Sequence, residues 1–142
     1  MIRLMLAIDL AEKRSPDLIA RAAIWAGRMG GKLDLLTVDT FPYASVHDPA
    51  AQAVLAAEYQ RLEADHQQLL DNLLTSVPEA IRGTAVRISS YRPAEAIADA
   101  SKEHDLLMVG THGRKGITGW FMGSVAERTI RLASIPTLVL RV

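Results

Sequence analysis

Five of the chain's 9 glycines lie between positions 110 and 123, where a strand-like segment gives way to a helix-like one. Glycine adopts positive φ at little cost and lets other groups approach the backbone closely. A glycine-rich turn can therefore point several N–H groups at one anion, and the next helix start adds unpaired N–H groups and partial positive charge. The pattern predicts a phosphate cradle from Gly110-Thr111-His112-Gly113 to Gly123-Ser124, with Arg114 and Lys115 as nearby cations.

Asp9, directly after the first apolar segment, is a second candidate for binding. In open parallel sheets, ligands bind beyond the carboxyl ends of the strands, where the strand order reverses. With the order 3-2-1-4-5, this crevice lies between the first and fourth strands, so Asp9 and Gly110 would face it together. An aspartate after a strand is also a common turn-former, and both interpretations of Asp9 stay open.

Neither of the two best-known phosphate loops occurs in the chain. The P-loop requires Gly, four residues and then Gly-Lys-Ser/Thr, and no such string is found. The dinucleotide fingerprint requires G-x-G-x-x-G after the first strand, where this chain has Asp9-Leu10-Ala11. The predicted cradle is therefore of another kind.

The elements that must position these residues follow from the hydrophobic pattern. Short apolar segments alternate with longer helical patterns, which predicts a doubly wound α/β fold with a five-stranded parallel sheet and four helices. The predicted strands are residues 2–8, 33–38, 84–89, 106–109 and 137–142. The predicted helices run from 15 to the Gly30-Gly31 pair, from 49 to about 75, from 93 to about 104 and from 124 to about 133.

Local signals mark the starts of helices. Ser15 is expected to cap the first helix, and Pro16 suits its first helical position. Ser124 and Glu127 form the S-x-x-E pattern of a capping box, in which Ser124 satisfies its own helix without a ligand. The capping and phosphate interpretations of Ser124 are compatible, because a cap can open when phosphate arrives. The apolar face of the second helix is predicted to comprise Leu55, Tyr59, Leu62, His66, Leu69 and Leu73.

The composition limits the class of protein. A chain of 142 residues fits one globular domain, residues 1–142. With 16 basic and 16 acidic residues the net charge is zero, so nucleic acid and anionic lipid are not expected as partners. The absence of cysteine excludes disulfides and thiolate metal sites. No apolar run approaches the ~18 residues that cross a bilayer, and we expect a soluble, cytoplasmic protein.

Other conspicuous side chains have simpler explanations. His112 could donate to a phosphate, although a loop histidine is usually solvated. His47 and His66 have no second ligand at a metal-binding spacing, so metal binding by histidine is not expected. The segment Trp120-Phe121-Met122 is expected to pack its loop against the sheet or a partner subunit rather than to stack on bases.

The spacing Gly110-x2-Gly113-x9-Gly123-Ser124 resembles the G-2x-G-9x-G(S/T) motif of nucleotide-binding universal stress proteins. A glycine spacing alone is a weak signal, but the resemblance extends along the whole chain and implies the Rossmann-like fold of that family. The stretch around Phe41-Pro42-Tyr43 is similar to the small single-domain branch. The other matching segments are Ala7-Ile8-Asp9, Leu36-Thr37-Val38, Pro93-Ala94-Glu95, residues 105–114 and residues 135–140.

The resemblance implies ATP as the ligand, with AMP or ADP as alternatives, together with Mg²⁺ or Mn²⁺. Asp9 would lie near the ribose or near a metal that bridges the phosphates. It also implies a homodimer in which the last strand, from Thr137 to Val142, pairs with its copy and hides an open edge. Phosphates would be held by Gly110, Gly113, Gly123, Ser124 and Val125, with His112 and Arg114 beside them. The base and sugar would contact Ala7, Ile8, Val38 and Val109.

Three positions depart from the family pattern. Ala7 stands where proline is frequent, which would loosen the adenine wall slightly. Thr37 stands where a histidine often precedes the valine, with little consequence for a backbone contact. Tyr91-Arg92 stands where a glycine is common, and it would either crowd the site or add a cation to it.

Three functions remain in view from the sequence. The first is an ATP-binding regulatory protein or nucleotide sensor of the stress response. The second is a slow ATPase or phosphotransferase that uses the same cleft, for which only Asp9 and His112 are candidate bases and neither has an evident orienting partner. The third is a dimeric adaptor with a vestigial cleft, which the intact glycine motif disfavours. We expect at most weak hydrolysis and name no catalytic residue.

Overall fold

The computed structural model describes residues 1–40, 47–111 and 123–142. In these ranges strands and helices alternate along the chain. The strands are β1 (Arg3–Ala7), β2 (Lys32–Asp39), β3 (Arg82–Ser89), β4 (Leu106–Thr111) and β5 (Thr137–Arg141). The helices are α1 (Ser15–Met29), α2 (Pro49–Leu74), α3 (Pro93–Ser101) and α4 (Ser124–Leu132), and a 3-10 turn, Glu79–Ile81, precedes β3.

The five strands form one parallel sheet in the order β3-β2-β1-β4-β5. This confirms the predicted fold class and strand order. The order reverses between β1 and β4, whose pairing runs from Leu4 with Leu106 to Ala7 with Val109. The carboxyl ends of these two strands therefore lie side by side, which is the condition for a binding crevice between them.

Helices cover both faces of the sheet. Alternate residues of a strand point to opposite faces, and in β1 Leu4 and Leu6 pack toward α1 and α2 while Met5 packs toward α3. Leu4, Leu6 and Met5 are at most 2% exposed. A strand that is buried on both faces cannot alternate apolar with polar residues, and this explains the nearly continuous apolar runs in the sequence.

Two helix predictions differ from the structure. Ser15 is the first residue of α1 rather than its cap, and its hydroxyl donates to the carbonyl oxygen of Asp9 at 2.9 Å. In α2, Leu69 is 50% exposed and Leu70 is fully buried, so the predicted apolar face was wrong by one position there. Helical spacing of three and four residues is compatible with burial of either Leu69 or Leu70, and only the position of α2 against the sheet distinguishes the two.

A polar network closes the amino-terminal end of the sheet around Asp34 of β2, which is 5% exposed. Its carboxylate accepts hydrogen bonds from the Thr84 N–H at 2.6 Å, from Arg3 Nη2 at 2.9 Å and from His104 Nε2 at 2.9 Å. Burial alone would raise the pKa of Asp34, but these hydrogen bonds together outweigh it and hold the pKa below its usual value. A Cβ at Gly83 would collide with this carboxylate, so glycine is required there.

No helix in the described part of the chain is both long enough and apolar enough to span a lipid bilayer.

Candidate functional site

A cavity of about 330 Å³ opens at the carboxyl-terminal end of the sheet. Its walls come from the ends of β1, β2 and β4, from the β1–α1 loop, and from α3 and the first turn of α4. This volume lies at the lower end of the range of small-molecule sites. The predicted site residues that line the cavity are Ala7, Ile8, Asp9, Val38, Val109, Gly110, Gly123, Ser124 and Val125. The predicted residues His112, Gly113 and Arg114 lie outside the described residues.

Among the described residues, no side chain caps the start of α4, which borders this cavity. Gly123 occupies the cap position with extended backbone angles, φ −54° and ψ 149°, and its carbonyl accepts the first helical hydrogen bond from the Glu127 N–H at 3.0 Å. The N–H groups of the first helical turn have no intrahelical partners. Three residues of this turn, Ser124, Val125 and Ala126, line the cavity. The arrangement suits an anion, since unpaired N–H groups and the helix dipole both favour negative charge.

The capping-box prediction for Ser124 was wrong. Ser124 is the first residue inside α4 rather than the residue before it, so its side chain cannot act as the helix cap. Glu127, the predicted reciprocal partner, instead accepts a hydrogen bond from Arg131 at 2.8 Å. Because the extended-to-helical transition occurs at Gly123, the S-x-x-E pattern is displaced by one position from the register that a capping box requires.

Gly110 is the next-to-last residue of β4 and lines the cavity, and its packing explains why it is glycine. A Cβ at this position would lie 2.8 Å from Leu18 Cδ2, a side chain of α1 that is 7% exposed. Among the described glycines only Gly30 has positive φ. Close approach, rather than an unusual backbone angle, therefore accounts for Gly110, and the approaching group is Leu18.

Asp9 forms a turn at the rim of the cavity. Its Oδ1 accepts the Ala11 N–H at 2.9 Å, and its carbonyl oxygen accepts the Glu12 N–H at 3.0 Å and the Ser15 hydroxyl at 2.9 Å. The turn-forming interpretation from the sequence is therefore present in the structure. The same turn holds the exposed carboxylate beside the cavity, so the two roles considered for Asp9 are geometrically compatible.

The apolar end of the cavity is formed by residues of β1, β2, β4 and α3. Ala7, Val38 and Val109 pack in the same cluster as Ile97 of α3, which also lines the cavity. Thr37 donates from its buried hydroxyl to the carbonyl oxygen of Ile8 at 3.0 Å. This bond fixes the end of β1 against β2, so the residue at position 37 has a positioning role that the sequence comparison did not indicate.

Two features of this end of the sheet were missed in the sequence. Arg14 lines the cavity from the β1–α1 loop. Asp39, at the end of β2, is buried and bonded by His66 Nδ1 at 2.7 Å and by Arg87 Nη1 at 2.9 Å. Helix α2 brings His66 and β3 brings Arg87, so no local sequence signal connects these residues.

The His66–Asp39 pair lies in a smaller hollow that shares Asp9, Val38 and Thr40 with the main cavity. Asp39 belongs to β2, which borders the apolar end of the cavity. An oriented imidazole is thus present near the site. His66 does not line the main cavity, whereas the first turn of α4 does.

Tyr91-Arg92, the unusual pair before α3, does not line the main cavity. Both residues are exposed and border a shallow hollow that shares Pro93, Ser124 and Val125 with the main cavity. In the same hollow Arg128 Nε donates to Glu95 Oε1 at 2.9 Å, which joins α4 to α3. This hydrogen bond holds the pKa of the Glu95 carboxyl below its usual value and raises the pKa of Arg128. The pair fixes the helix whose first turn borders the cavity.

The cavity is therefore suited to a molecule with an apolar ring at one end and an anionic group at the other. Among the described residues, no group of three or more His, Asp or Glu side chains is arranged to hold a metal ion.

Comparisons of the sequence and of the fold with known proteins point to the same protein family. The model of the universal stress protein family matches residues 1–141. The universal stress protein Rv2623 of Mycobacterium tuberculosis is 30% identical over 136 residues, which is 96% of this chain. The chain spans only 39% of the length of that relative.

Solved structures share the fold at lower identity. A universal stress protein family member from Arabidopsis thaliana with AMP bound has a TM-score of 0.61 and 20% identity, and the match covers 99% of this chain and 92% of the other. The universal stress protein from Archaeoglobus fulgidus in complex with dAMP has a TM-score of 0.59 and 17% identity, covering 98% and 97%. The family match over nearly the whole chain and the shared fold lead to one conclusion: the chain belongs to the universal stress protein family.

Proposed function

We propose that this chain binds an adenine nucleotide in the cavity, with ATP as the preferred ligand, and acts as a cytoplasmic nucleotide sensor in the response to stress. The observation that carries the proposal is the uncapped start of α4, where Gly123, Ser124 and Val125 border the same cavity as Gly110. The AMP and dAMP complexes of proteins with the same fold support the choice of an adenine nucleotide.

The different chemical character of the two ends of the cavity predicts the orientation of the bound nucleotide. The adenine ring would lie against Ala7, Val38 and Val109, where apolar side chains cover the sheet. The phosphates would lie at Gly110 and the start of α4, where N–H groups and the helix dipole favour anions. The ribose would then pass Asp9, whose carboxylate can accept a hydrogen bond from a sugar hydroxyl.

A divalent cation, Mg²⁺ or Mn²⁺, would be held mainly by the phosphates, with Asp9 as the protein side chain within reach. Hard divalent cations prefer oxygen ligands and commonly combine a few carboxylates with substrate phosphates. The cation would supply charge neutralisation for the phosphates. Asp9 is exposed at the rim of the cavity, which suits such a shared site.

Calorimetric titration with ATP, AMP and NADH tests the proposal. We expect micromolar ATP binding that is lost in Gly123→Val and in Gly113→Ala. Gly27→Ala is the matched control, because a Cβ at Gly27 has no atom within 4 Å and lies outside the cavity. Binding that is unchanged in both cavity variants would exclude the cradle. Absence of heat with every nucleotide would instead favour an adaptor with a vestigial cleft.

A turnover assay separates binding from hydrolysis. We expect ATP to be retained rather than hydrolysed on the time scale of minutes, because His66, which is oriented by Asp39, borders a neighbouring hollow and does not line the main cavity. Hydrolysis that is abolished by Asp9→Ala, with ATP binding preserved, would establish the slow ATPase instead.

The proposed assembly is a homodimer through β5. This strand is the outermost on its side of the sheet and pairs only with β4 in the described structure, and its Val139 is 37% exposed. Light scattering should show that Val139→Lys shifts the protein toward monomer. Val86→Lys is the control, because Val86 is 42% exposed on the opposite edge strand, β3. A dimer that survives the first variant and dissociates in the second would place the interface at β3.

A further inference from the structure

Arg14 is the only cationic side chain that lines the cavity among the residues in ranges 1–40, 47–111 and 123–142. Two carboxylates, Asp9 and Glu12, line the same cavity. Carboxylates disfavour an approaching anion, whereas a guanidinium attracts it. The position of the Arg14 guanidinium along the cavity therefore determines which anions it can contact.

The guanidinium of Arg14 is held on the β5 side of the cavity. Its Nη1 donates to the carbonyl oxygen of Val142 at 3.1 Å, and Val142 directly follows β5. Val38, at the apolar end, belongs to β2, which is three strand intervals from β5 in the order β3-β2-β1-β4-β5. At ~4.8 Å between neighbouring strands, β2 and β5 are about 14 Å apart across the sheet. Arg14 thus lies beyond Gly110 as seen from the adenine side.

The guanidinium retains capacity for a ligand. The hydrogen bond to Val142 uses one N–H, and a guanidinium carries five. The side chain is partly buried and forms no ion pair with a carboxylate in the described part of the chain. The planar fork of N–H groups matches the oxygen atoms of a phosphate, to which arginine commonly binds through two parallel hydrogen bonds.

We propose that Arg14 determines specificity for the length of the phosphate chain, by binding the β- and γ-phosphate oxygens of a nucleoside di- or triphosphate. A monophosphate would end near Gly110 and the start of α4, short of the guanidinium. This inference rests on the proposed nucleotide-binding function and assigns to Arg14 the preference for ATP and ADP over AMP. The bond to Val142 positions the guanidinium and limits the conformational freedom that binding would otherwise remove.

Titration calorimetry of the full chain with ATP, ADP, AMP and adenosine tests this role. In Arg14→Gln, the affinity for ATP should fall about tenfold, because one charge-assisted contact to phosphate is lost. The affinities for AMP and adenosine should change less than about twofold, so the ratio of ATP to AMP affinity falls about tenfold. In Arg14→Lys, which keeps the charge without the planar fork, the loss should be intermediate.

Lys13→Gln is the matched control, because it removes the same charge from the neighbouring residue, which is exposed and does not line the cavity. All four affinities should then change less than about twofold. A uniform loss for every ligand in Arg14→Gln, or an unchanged ATP-to-AMP ratio, would overturn the role of Arg14 and leave nucleotide binding intact. Failure of the unmodified chain to bind any of the four ligands would overturn the proposed function itself. Urea unfolding of each variant checks that the fold is retained.

Discussion

The two ends of the sheet contain similar polar groups but differ in how completely these groups are satisfied. At the amino-terminal end, the Asp34 carboxylate accepts hydrogen bonds from β1, β3 and the segment after α3 through Arg3, Thr84 and His104. At the carboxyl-terminal end, the described hydrogen bond to the Asp9 carboxylate comes from Ala11 in its own loop, and α4 begins without a side-chain cap. Among the described residues, hydrogen bonds within the protein close the first end, and the second keeps a carboxylate and N–H groups available to a ligand.

This difference shows that position at the carboxyl end is not sufficient for a binding role. Asp39 also ends a strand at that edge, yet it is buried and bonded by His66 and Arg87. Its side-chain oxygens are already engaged, so Asp39 acts as a link between β2, α2 and β3. Asp9 and the first turn of α4 lie at the same edge of the sheet as Asp39, but they have fewer hydrogen-bond partners among the described residues.

The largest expected effect is at the closed end. Asp34→Ala removes the acceptor of three neighbouring groups and leaves donors of Arg3, Thr84 and His104 without it. Leaving buried donors such as the Thr84 N–H without an acceptor costs about 1 to 3 kcal/mol. Urea unfolding should show this loss while ATP affinity, measured at a temperature where the variant is folded, stays within about twofold.

Asp99→Ala is the comparison variant, because Asp99 is exposed and its partner is Lys102 three residues away. It should change the free energy of unfolding by less than about 0.5 kcal/mol. An equal loss in the two variants would mean that the Asp34 network contributes no more than a surface ion pair.

The next largest effect is expected at Gly110, which packs against Leu18 and also lines the proposed nucleotide site. Gly110→Ala would force the new Cβ against Leu18 Cδ2, at a cost of about 1 to 2 kcal/mol. A double-mutant cycle with Leu18→Ala should recover part of this loss, since the smaller side chain removes the collision. Additive losses in urea unfolding would show that Leu18 is not the reason for glycine at this position.

The contribution of the closed end to the free energy of unfolding should depend on pH. The pKa of Asp34 is lowered in the folded state, so its contribution is complete above the unfolded-state value of ~3.9 and is lost as the pH falls through the lower folded-state value. The difference in unfolding free energy between the unmodified chain and Asp34→Asn should therefore be constant near pH 7 and decrease below about pH 4. A difference that grows on acidification would contradict the direction of the shift.

The smallest expected effect is at the open end. Ser124→Ala should change the free energy of unfolding by less than about 0.5 kcal/mol, because Ser124 lies inside α4 and caps nothing. Asp48→Ala should cost more, about 0.5 to 1 kcal/mol, because Asp48 caps α2 by accepting the Ala50 N–H at 3.3 Å. If Ser124→Ala proved the more destabilising of the two in thermal unfolding, Ser124 would have to act as the cap of α4 after all.

Much of this arrangement could be predicted from local patterns. The apolar run before Asp9 and the run before Gly110 are long enough and apolar enough to identify buried parallel strands. The rule that ligands bind where the strand order reverses then brings Asp9 and Gly110 to one crevice, and the structure places both on the same cavity. These inferences succeed because they depend on period, length and topology rather than on individual contacts.

What failed or was missed depends on distances between elements. The register of α4 relative to Gly123 removed the capping box, and the position of α2 against the sheet exposed Leu69 and buried Leu70. Local spacing permits both outcomes in each case, since a shift of one residue changes little in the hydrophobic pattern of a helix.

The class of fold, the strand order and the family can be inferred from the amino-acid sequence, because they follow from patterns that extend over the whole chain. Which polar groups have hydrogen-bond partners depends instead on tertiary packing. Arg14 faces the cavity through its bond to Val142, 128 positions away, and Asp34 is closed off by Thr84 and His104, 50 and 70 positions away. Hydrogen-bond partners at such separations are set by how the strands and helices pack, and they distinguish the closed end of the sheet from the open one.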